Sequence, residues 1–143
     1  MTVIFSKSCE LGLQAVLFLS TKKEKIIFNA EEISIELKVP KEFVSKVLQT
    51  LTNSGIVGSK KGKSGGFYLA KKPSEIKLID IVEAIDGLSV FHSCVLGFPG
   101  CSHEKPCPVH DKWGKLRDDA HKMLSEETLE QLKEKTIKKI SSL

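Results

Sequence analysis

The spacing of apolar residues in the first third of the chain predicts three helices. Apolar side chains recur three or four positions apart between residues 7 and 21, which is typical of a helix packed against a core. Asn29 is a favourable N-cap for a second helix over residues 30–37. Pro40 suits the first turn of a third helix, over residues 41–54. Two helices joined by so short a turn predict a helix-turn-helix motif, with an ordinary helical hairpin as the alternative.

The segment after the third helix predicts a basic hairpin. Residues 56–59 and 66–70 have the composition of two short antiparallel strands. The glycine-rich tip between them carries Lys60, Lys61, Lys63 and Ser64. Glycine lets the backbone approach a phosphate closely, and lysines release counterions from DNA. A solvated basic turn is the alternative, but the position directly after the third helix favours a DNA-contacting wing.

The third helix is the candidate for reading bases. Its polar side chains lie opposite its apolar face, and they include Lys41, Glu42, Ser45 and Lys46. In the major groove a glutamate can accept a hydrogen bond from cytosine and a lysine can donate one to guanine. We therefore expect this helix to recognise a double-stranded DNA operator.

The rest of the chain predicts three more elements. Residues 78–85 form an amphipathic pattern, and periodicity is then lost from residue 92 to residue 110. A helix over residues 108–124 carries an apolar stripe that consists of Trp113, Leu116, Ala120 and Met123. Such a stripe packs either on its own chain or on a second copy in a symmetric dimer. Residues 126–138 predict a last, polar helix that frays.

These elements together predict a mainly α fold with a small β-hairpin wing: a winged helix-turn-helix with a long C-terminal dimerisation helix. We expect a DNA-binding domain over residues 1–90 and a cysteine-rich loop over residues 91–110. A dimerisation helix and a C-terminal tail follow over residues 111–143.

Charge and hydropathy narrow the class of protein. Residues 1–77 carry 13 lysines against 7 acidic residues, although the whole chain has a net charge of only +4. A basic N-terminal half suits a polyanionic partner. The longest apolar run, residues 11–19, is too short to span a bilayer, so we expect a cytoplasmic protein. The four histidines are scattered and no nucleotide-binding motif is present, so an enzyme is not expected.

Three of the four cysteines lie close together in the loop without periodicity. Cys94, Cys101 and Cys107 fall within fourteen residues that are rich in glycine and proline. In a reducing compartment such thiols are ligands or free groups and not structural disulfides. Thiolates suit both iron–sulfur clusters and zinc. Zinc is a serious alternative because Cys107 and His110 are also spaced as zinc ligands.

Several motifs together resemble a known family. They are the stretches 53–57, 61–69 and 81–87, the cysteine triplet, and His110 with Trp113. In these segments the chain resembles the Rrf2 family of bacterial transcription regulators, whose members include the iron–sulfur regulators IscR and NsrR. The resemblance implies a homodimeric repressor in which residues 108–124 cross the partner subunit.

The resemblance also implies a cofactor and its ligands. A 2Fe–2S or 4Fe–4S cluster would be bound by Cys94, Cys101 and Cys107 near the dimer interface. His110 is the first candidate for the fourth ligand, and Glu10 of the opposite subunit is the second. Cys9, next to Glu10, is a further alternative. Cluster loss, oxidation or nitrosylation would then control DNA affinity, so the signal is redox state, nitric oxide or cluster supply.

Overall fold

The fold is mainly helical with one short hairpin, as predicted. The structure is a computed structural model that describes residues 4–22 and 26–143. Its main elements are α1 (Lys7–Ser20), α2 (Ala30–Leu37), α3 (Lys41–Asn53), β1 (Val57–Lys60), β2 (Gly66–Leu69), α4 (Leu78–Ile85), α5 (His110–Glu126) and α6 (Leu129–Ser141). Short 3-10 turns lie at Pro73–Glu75 and Ser89–Phe91. Across the described residues, none of the helices has the length and apolar content needed to span a lipid bilayer.

Local interactions fix both the start of α2 and the turn between α2 and α3. The Asn29 side chain accepts a hydrogen bond from the Glu32 backbone N–H at 2.8 Å, and the Glu32 carboxylate accepts one from the Asn29 N–H at 3.2 Å. This capping box satisfies two backbone groups at the start of α2. Lys38 ends the helix in the left-handed conformation, with φ at 57°, and Pro40 occupies the N-cap position of α3 without a side-chain hydrogen bond. The two helices of the motif are thus joined at a defined turn.

Helix α1 is the centre of the core. It contacts α3, α4 and α6, and its Phe18 packs edge-on against Phe28. Gly12 lies where α1 meets α3 and α4: an added Cβ would be 3.3 Å from Val47 and 3.4 Å from Ile81. The absence of a side chain at Gly12 lets three helices pack closely.

The hairpin is attached to the helix-turn-helix by backbone hydrogen bonds. In the antiparallel pair, Val57 lies opposite Leu69 and Lys60 lies opposite Gly66. Phe28, which immediately precedes the N-cap of α2, pairs with Phe67 through two backbone hydrogen bonds of 3.0 and 2.7 Å. The wing is therefore held at a fixed position relative to α2 and α3.

The C-terminal helix differs from the prediction. It begins at Leu129, which is fully buried, and the Leu129 N–H donates to the Ile76 carbonyl at 2.9 Å. Ile140 near the end of α6 packs against the same core. The expectation of a polar helix that frays is wrong, because apolar contacts at both of its ends bind α6 to the N-terminal core.

We predict that Gly66→Ala destabilises the wing. Gly66 has φ at +151°, and an added Cβ would lie 2.5 Å from the Phe28 carbonyl oxygen. Such a backbone conformation is essentially restricted to glycine, so the free energy of unfolding should fall by about 2 kcal/mol. Urea denaturation of the wild type and the variant measures this change.

Gly114→Ala is the matched control for that prediction. At Gly114 in α5 an added Cβ meets only the end of the Arg117 side chain, at 3.5 Å. Alanine is the better helix former by about 1 kcal/mol, so this variant should be at least as stable as the wild type. Equal stability of the two variants would contradict the close approach of Gly66 to Phe28.

Candidate functional site

The structure brings the three loop thiols together. The Sγ atoms of Cys94, Cys101 and Cys107 all lie within 4.8 Å of one another, and those of Cys94 and Cys107 are 3.5 Å apart. All three side chains are half-buried, and none forms a disulfide. A loop without regular secondary structure thus converges on one point.

The beginning of α5 holds this loop in place. The Trp113 indole Nε1 donates to the Ser93 carbonyl at 2.9 Å, and an Arg117 guanidinium nitrogen lies 3.4 Å from the same oxygen. Ser93 is the residue before Cys94, so the helix fixes the backbone at the first cysteine. Trp113, which the sequence places in the dimer stripe, therefore also has an intrachain hydrogen bond.

His110 is the nearest candidate for a fourth ligand. Its Nδ1 lies 3.2 Å from the Cys101 Sγ, and its backbone N–H donates to the Cys107 carbonyl at 3.1 Å. Glu10 instead forms an ion pair with Lys7 at 3.6 Å and, within the described part of the chain, belongs to no group of possible metal ligands. Within one subunit, the arrangement places His110 and not Glu10 beside the thiols.

Cys9 is separated chemically from the loop cysteines. It is fully buried and packs with Val82, Phe91 and Leu124. Burial and the nearby Asp86 carboxylate raise the pKa of the Cys9 thiol to about 12. The side chain is therefore a neutral thiol at physiological pH and acts as a small apolar core residue.

The loop environment favours a thiolate at Cys94. Burial acts to raise the pKa of Cys94, but the backbone N–H groups of Phe98 and Leu96 and the neighbouring thiols outweigh it, so the pKa is lowered to about 7. Burial raises the pKa of Cys107, and its hydrogen bond to Cys94 raises it further. Because the thiolate is the form that binds metals, Cys94 is ready to act as a ligand.

The donor set fits a metal centre. Two thiolates that bind one tetrahedral ion at about 2.3 Å lie about 3.8 Å apart, close to the 3.5 Å between Cys94 and Cys107. Three sulfurs with an imidazole suit zinc and iron–sulfur clusters. The thiols line a cavity of about 230 Å³ together with Arg117, whose Nε is buried without a hydrogen-bond partner among the described residues. Arg117 is half-buried, and its positive charge beside thiolates complements an anionic centre.

His103 is a site residue that sequence reasoning missed. Its Nδ1 lies 3.2 Å from the His110 Nε2, on the side of the ring away from Cys101. In the sequence His103 is one of four scattered histidines, and its position two residues after Cys101 is the only signal. The folding of the loop, which has no periodic pattern, brings it to His110.

The predicted DNA-contacting residues lie at the surface. In α3, Lys41, Glu42 and Lys46 are exposed and Ser45 is half-buried. The opposite face of α3 is buried in the core through Val44, Val47, Leu48 and Leu51. At the wing, Lys60, Lys61, Lys63 and Ser64 are all exposed. None of these lysines forms an ion pair with another described residue, so their charges are available to an anionic partner.

The apolar stripe of α5 is only partly covered. Leu116 is 61% exposed and Met123 is 65% exposed, whereas Ala120 packs against the apolar cluster around Cys9. With Trp113 these residues line an apolar groove of about 370 Å³. Exposed apolar side chains at helical spacing are typical of a surface that binds a partner.

Sequence comparisons agree with the arrangement of these elements. A family model described as Rrf2, an iron-dependent transcriptional regulator, matches residues 5–135. An HTH-type transcriptional regulator of Aquifex aeolicus is 33% identical over 132 residues, which cover 91% of each chain. The regulator NsrR of Oceanobacillus iheyensis is 28% identical over 88% of this chain and 86% of its own. The regulator IscR of Photorhabdus laumondii is 31% identical over 71% of this chain and 61% of its own.

Solved structures have the same fold. CymR, the global cysteine regulator of B. subtilis, superposes with a TM-score of 0.76 at 23% identity and covers 93% of this chain and 98% of its own. The IscR of T. potens gives a TM-score of 0.69 at 23% identity, covering 92% and 85%. Both similarities concern the winged helix architecture.

Proposed function

Because the chain belongs to the Rrf2 family of DNA-binding transcriptional regulators, we propose that an iron–sulfur cluster controls its affinity for DNA. The observation that carries this proposal is the convergence of Cys94, Cys101, Cys107 and His110 on one cavity. The sequence relatives named IscR and NsrR and the family's description as iron-dependent support iron over other metals. The cluster, when bound, supplies a centre that can react to redox state or nitric oxide, and its occupancy can report the supply of clusters.

The contacts of the loop provide a route from this site to DNA. His110 is the first residue of α5, and Trp113 in the next turn binds the Ser93 carbonyl. Holding the cysteines in place therefore also fixes the beginning of α5. When the ligands are released, the loop gains chain entropy and this restraint on α5 is lost. In a dimer formed through α5, the spacing of two recognition helices would change.

A zinc-stapled regulator is the second candidate. The 3.5 Å separation of the Cys94 and Cys107 sulfurs matches two thiolates on a single tetrahedral ion. In that case the loop would only hold the dimer together and would not respond to nitric oxide or redox state through iron. Zinc is colourless, whereas an iron–sulfur protein purified without oxygen is brown.

We predict that each loop cysteine is required for the cluster. Loss of one thiolate from Cys94, Cys101 or Cys107 leaves the cluster with too few ligands, so each Cys→Ser variant should lose most of its iron and sulfide. Cys9→Ser is the matched control, because Cys9 is buried away from the loop and should not affect iron content. Iron, sulfide and visible absorption of anaerobically purified proteins are the measurements.

The same measurements decide the fourth ligand. We expect His110→Ala to change the visible spectrum and Glu10→Ala to leave it unchanged, since His110 lies beside Cys101. The opposite pattern would assign the ligand to Glu10 of the partner subunit. Full iron content in any loop-cysteine variant, or its complete loss in Cys9→Ser, would refute the ligand assignment.

We propose that α3 and the wing bind double-stranded DNA together. Lys41, Glu42, Ser45 and Lys46 would face the major groove, and the wing residues Lys60, Lys61, Lys63 and Ser64 would contact phosphates. The exposure of these side chains, except for the half-buried Ser45, supports the assignment. The fixed position of the wing relative to α2 lets both surfaces bind one half-site.

We predict that replacing Lys60, Lys61 and Lys63 by Ala flattens the salt dependence of DNA binding. Each lost phosphate contact reduces the slope of log K against log salt by about 0.9. Affinity should fall for all DNA sequences. A triple Ala variant at Lys135, Lys138 and Lys139 of α6 is the control, because it removes the same charge from another surface. If both variants have the same slope, the wing does not contact DNA. Fluorescence anisotropy at several salt concentrations measures the slope.

We also propose a homodimer formed through Trp113, Leu116, Ala120 and Met123. We predict that Leu116→Glu yields monomers, because it places a charge in the centre of the apolar stripe. Ile137→Glu, at an exposed apolar position of α6, should leave the oligomeric state unchanged. Sedimentation velocity measures both. A dimer that persists in Leu116→Glu would exclude this interface.

A further inference from the structure

A row of hydrogen bonds leads from the thiols to an exposed histidine. The Cys101 Sγ lies 3.2 Å from the His110 Nδ1, and the His110 Nε2 lies 3.2 Å from the His103 Nδ1. The two imidazole rings are nearly perpendicular, with an angle of 88° and centroids 4.8 Å apart. Both nitrogens of His110 are therefore engaged, one toward the thiols and one toward His103.

Of the two possible directions of donation, only one leaves the Nδ1 lone pair of His110 available to a metal. A neutral imidazole carries a proton on one nitrogen and a lone pair on the other. The Cys101 thiol can donate to His110 Nδ1, which leaves the proton of His110 on Nε2, where it is donated to the lone pair on His103 Nδ1. The Nδ1 lone pair of His110 then points at the cavity that the three cysteines line.

We propose that His103 is a positioning residue for the metal centre: it accepts the Nε2 proton of His110 and so keeps the Nδ1 lone pair directed at the metal. The inference rests on the proposed metal centre, but it holds for iron and zinc alike. Histidine ligands usually donate their second N–H to such a partner, which fixes the tautomer and makes the ligand more basic. The Asp111 carboxylate lies within 4.8 Å of both histidines.

The geometry distinguishes His103 from a ligand of the thiol site. His110 lies between His103 and the sulfurs, and His103 is exposed whereas the thiols and His110 are half-buried. His92 also lines the cavity and is exposed, but it makes no side-chain hydrogen bond with another described residue. A role acting through His110 is therefore specific to His103 and not common to the histidines of the cavity.

Anaerobic titration of the reduced, metal-free full chain with Co²⁺ tests the proposal. Cobalt reports its ligands through visible absorption and does not require cluster assembly. His103→Leu should weaken Co²⁺ binding about 10-fold or more, as loss of a ligand's hydrogen-bond partner does. His103→Asn should restore most of the affinity, because the Asn Oδ1 can accept where His Nδ1 does. His121→Leu, at an exposed histidine of α5 that does not line the cavity, is the matched control and should behave as the wild type.

A double-mutant cycle separates positioning from ligation. In an His110→Ala background, His103→Leu should cause no further loss of Co²⁺ affinity and no further spectral change, because its effect passes through His110. Additional loss in the double variant would overturn the proposal and make His103 a ligand. Unchanged affinity and spectrum in the single His103→Leu variant would also overturn it.

A measurement without metal keeps this inference distinct from the proposed function. In ¹⁵N NMR spectra of the metal-free protein, His110 should be mainly the Nε2–H tautomer, and His103→Leu should reduce that preference. An identical tautomer population in the two proteins would refute the role of His103. Failure of the wild type to bind Co²⁺ would instead refute the proposed metal centre, and the NMR result would still decide the hydrogen bond.

Discussion

The close packing of α1 against α3 and α4 is the constraint on which the other parts of the molecule depend. Gly12 permits that approach, and Ser6 fixes the beginning of the helix by donating to the Asp86 carboxylate from both its backbone N–H, at 2.8 Å, and its hydroxyl, at 2.5 Å. One side of α1 thus supports α3. The other side carries Cys9, which packs with Leu124 of α5. Helix α3 and the helix beside the thiols therefore share one rigid support.

The cysteine loop has a different physical basis. It buries little apolar surface, and Val95, Leu96 and Phe98 are more than half exposed. Its order comes from hydrogen bonds at its two ends. The Trp113 indole N–H donates to the Ser93 carbonyl, and the His110 backbone N–H donates to the Cys107 carbonyl. Such a segment has a low local stability, and a bound metal would supply a large part of the free energy that keeps the loop ordered. This contrast between a packed support and a weakly ordered loop suits a sensor.

Much of the fold follows from the sequence because its signals are local. The Asn29 cap predicts the start of α2 at Ala30, and the amphipathic pattern predicts α4 over Leu78–Ile85, as the structure has them. The cysteine triplet also identifies the thiol site, since few other roles suit three thiols in a polar loop. Glycines in the hairpin tip likewise mark the wing, because its turn needs conformations that other residues avoid.

Other features depend on tertiary contacts that no local pattern encodes. The apolar residues of α6 are separated by charged residues, so the sequence alone does not reveal that Leu129 is packed in the core. That packing depends on α1 and on the hydrogen bond to the Ile76 carbonyl. His103 meets His110 only after the loop has folded. The Trp113 indole has an apolar ring and a polar N–H, so the helical stripe reveals its contact surface but not its hydrogen bond to Ser93.

The burial of Cys9 affects which thiols of the protein an oxidant can reach. Oxidants such as peroxides attack thiolates. Cys9 has a pKa of about 12 and no exposed surface, so almost no thiolate is present at this residue and oxidants do not reach it. The half-buried loop cysteines would be the ones converted to sulfenic acids or disulfides, and these products are reversible by cellular thiols. Oxidation of thiols would thereby be directed to the loop, which lies outside the packed core. A molecule inactivated by an oxidant could regain its activity once the loop cysteines are reduced and the proposed metal centre is bound again, without synthesis of a new chain.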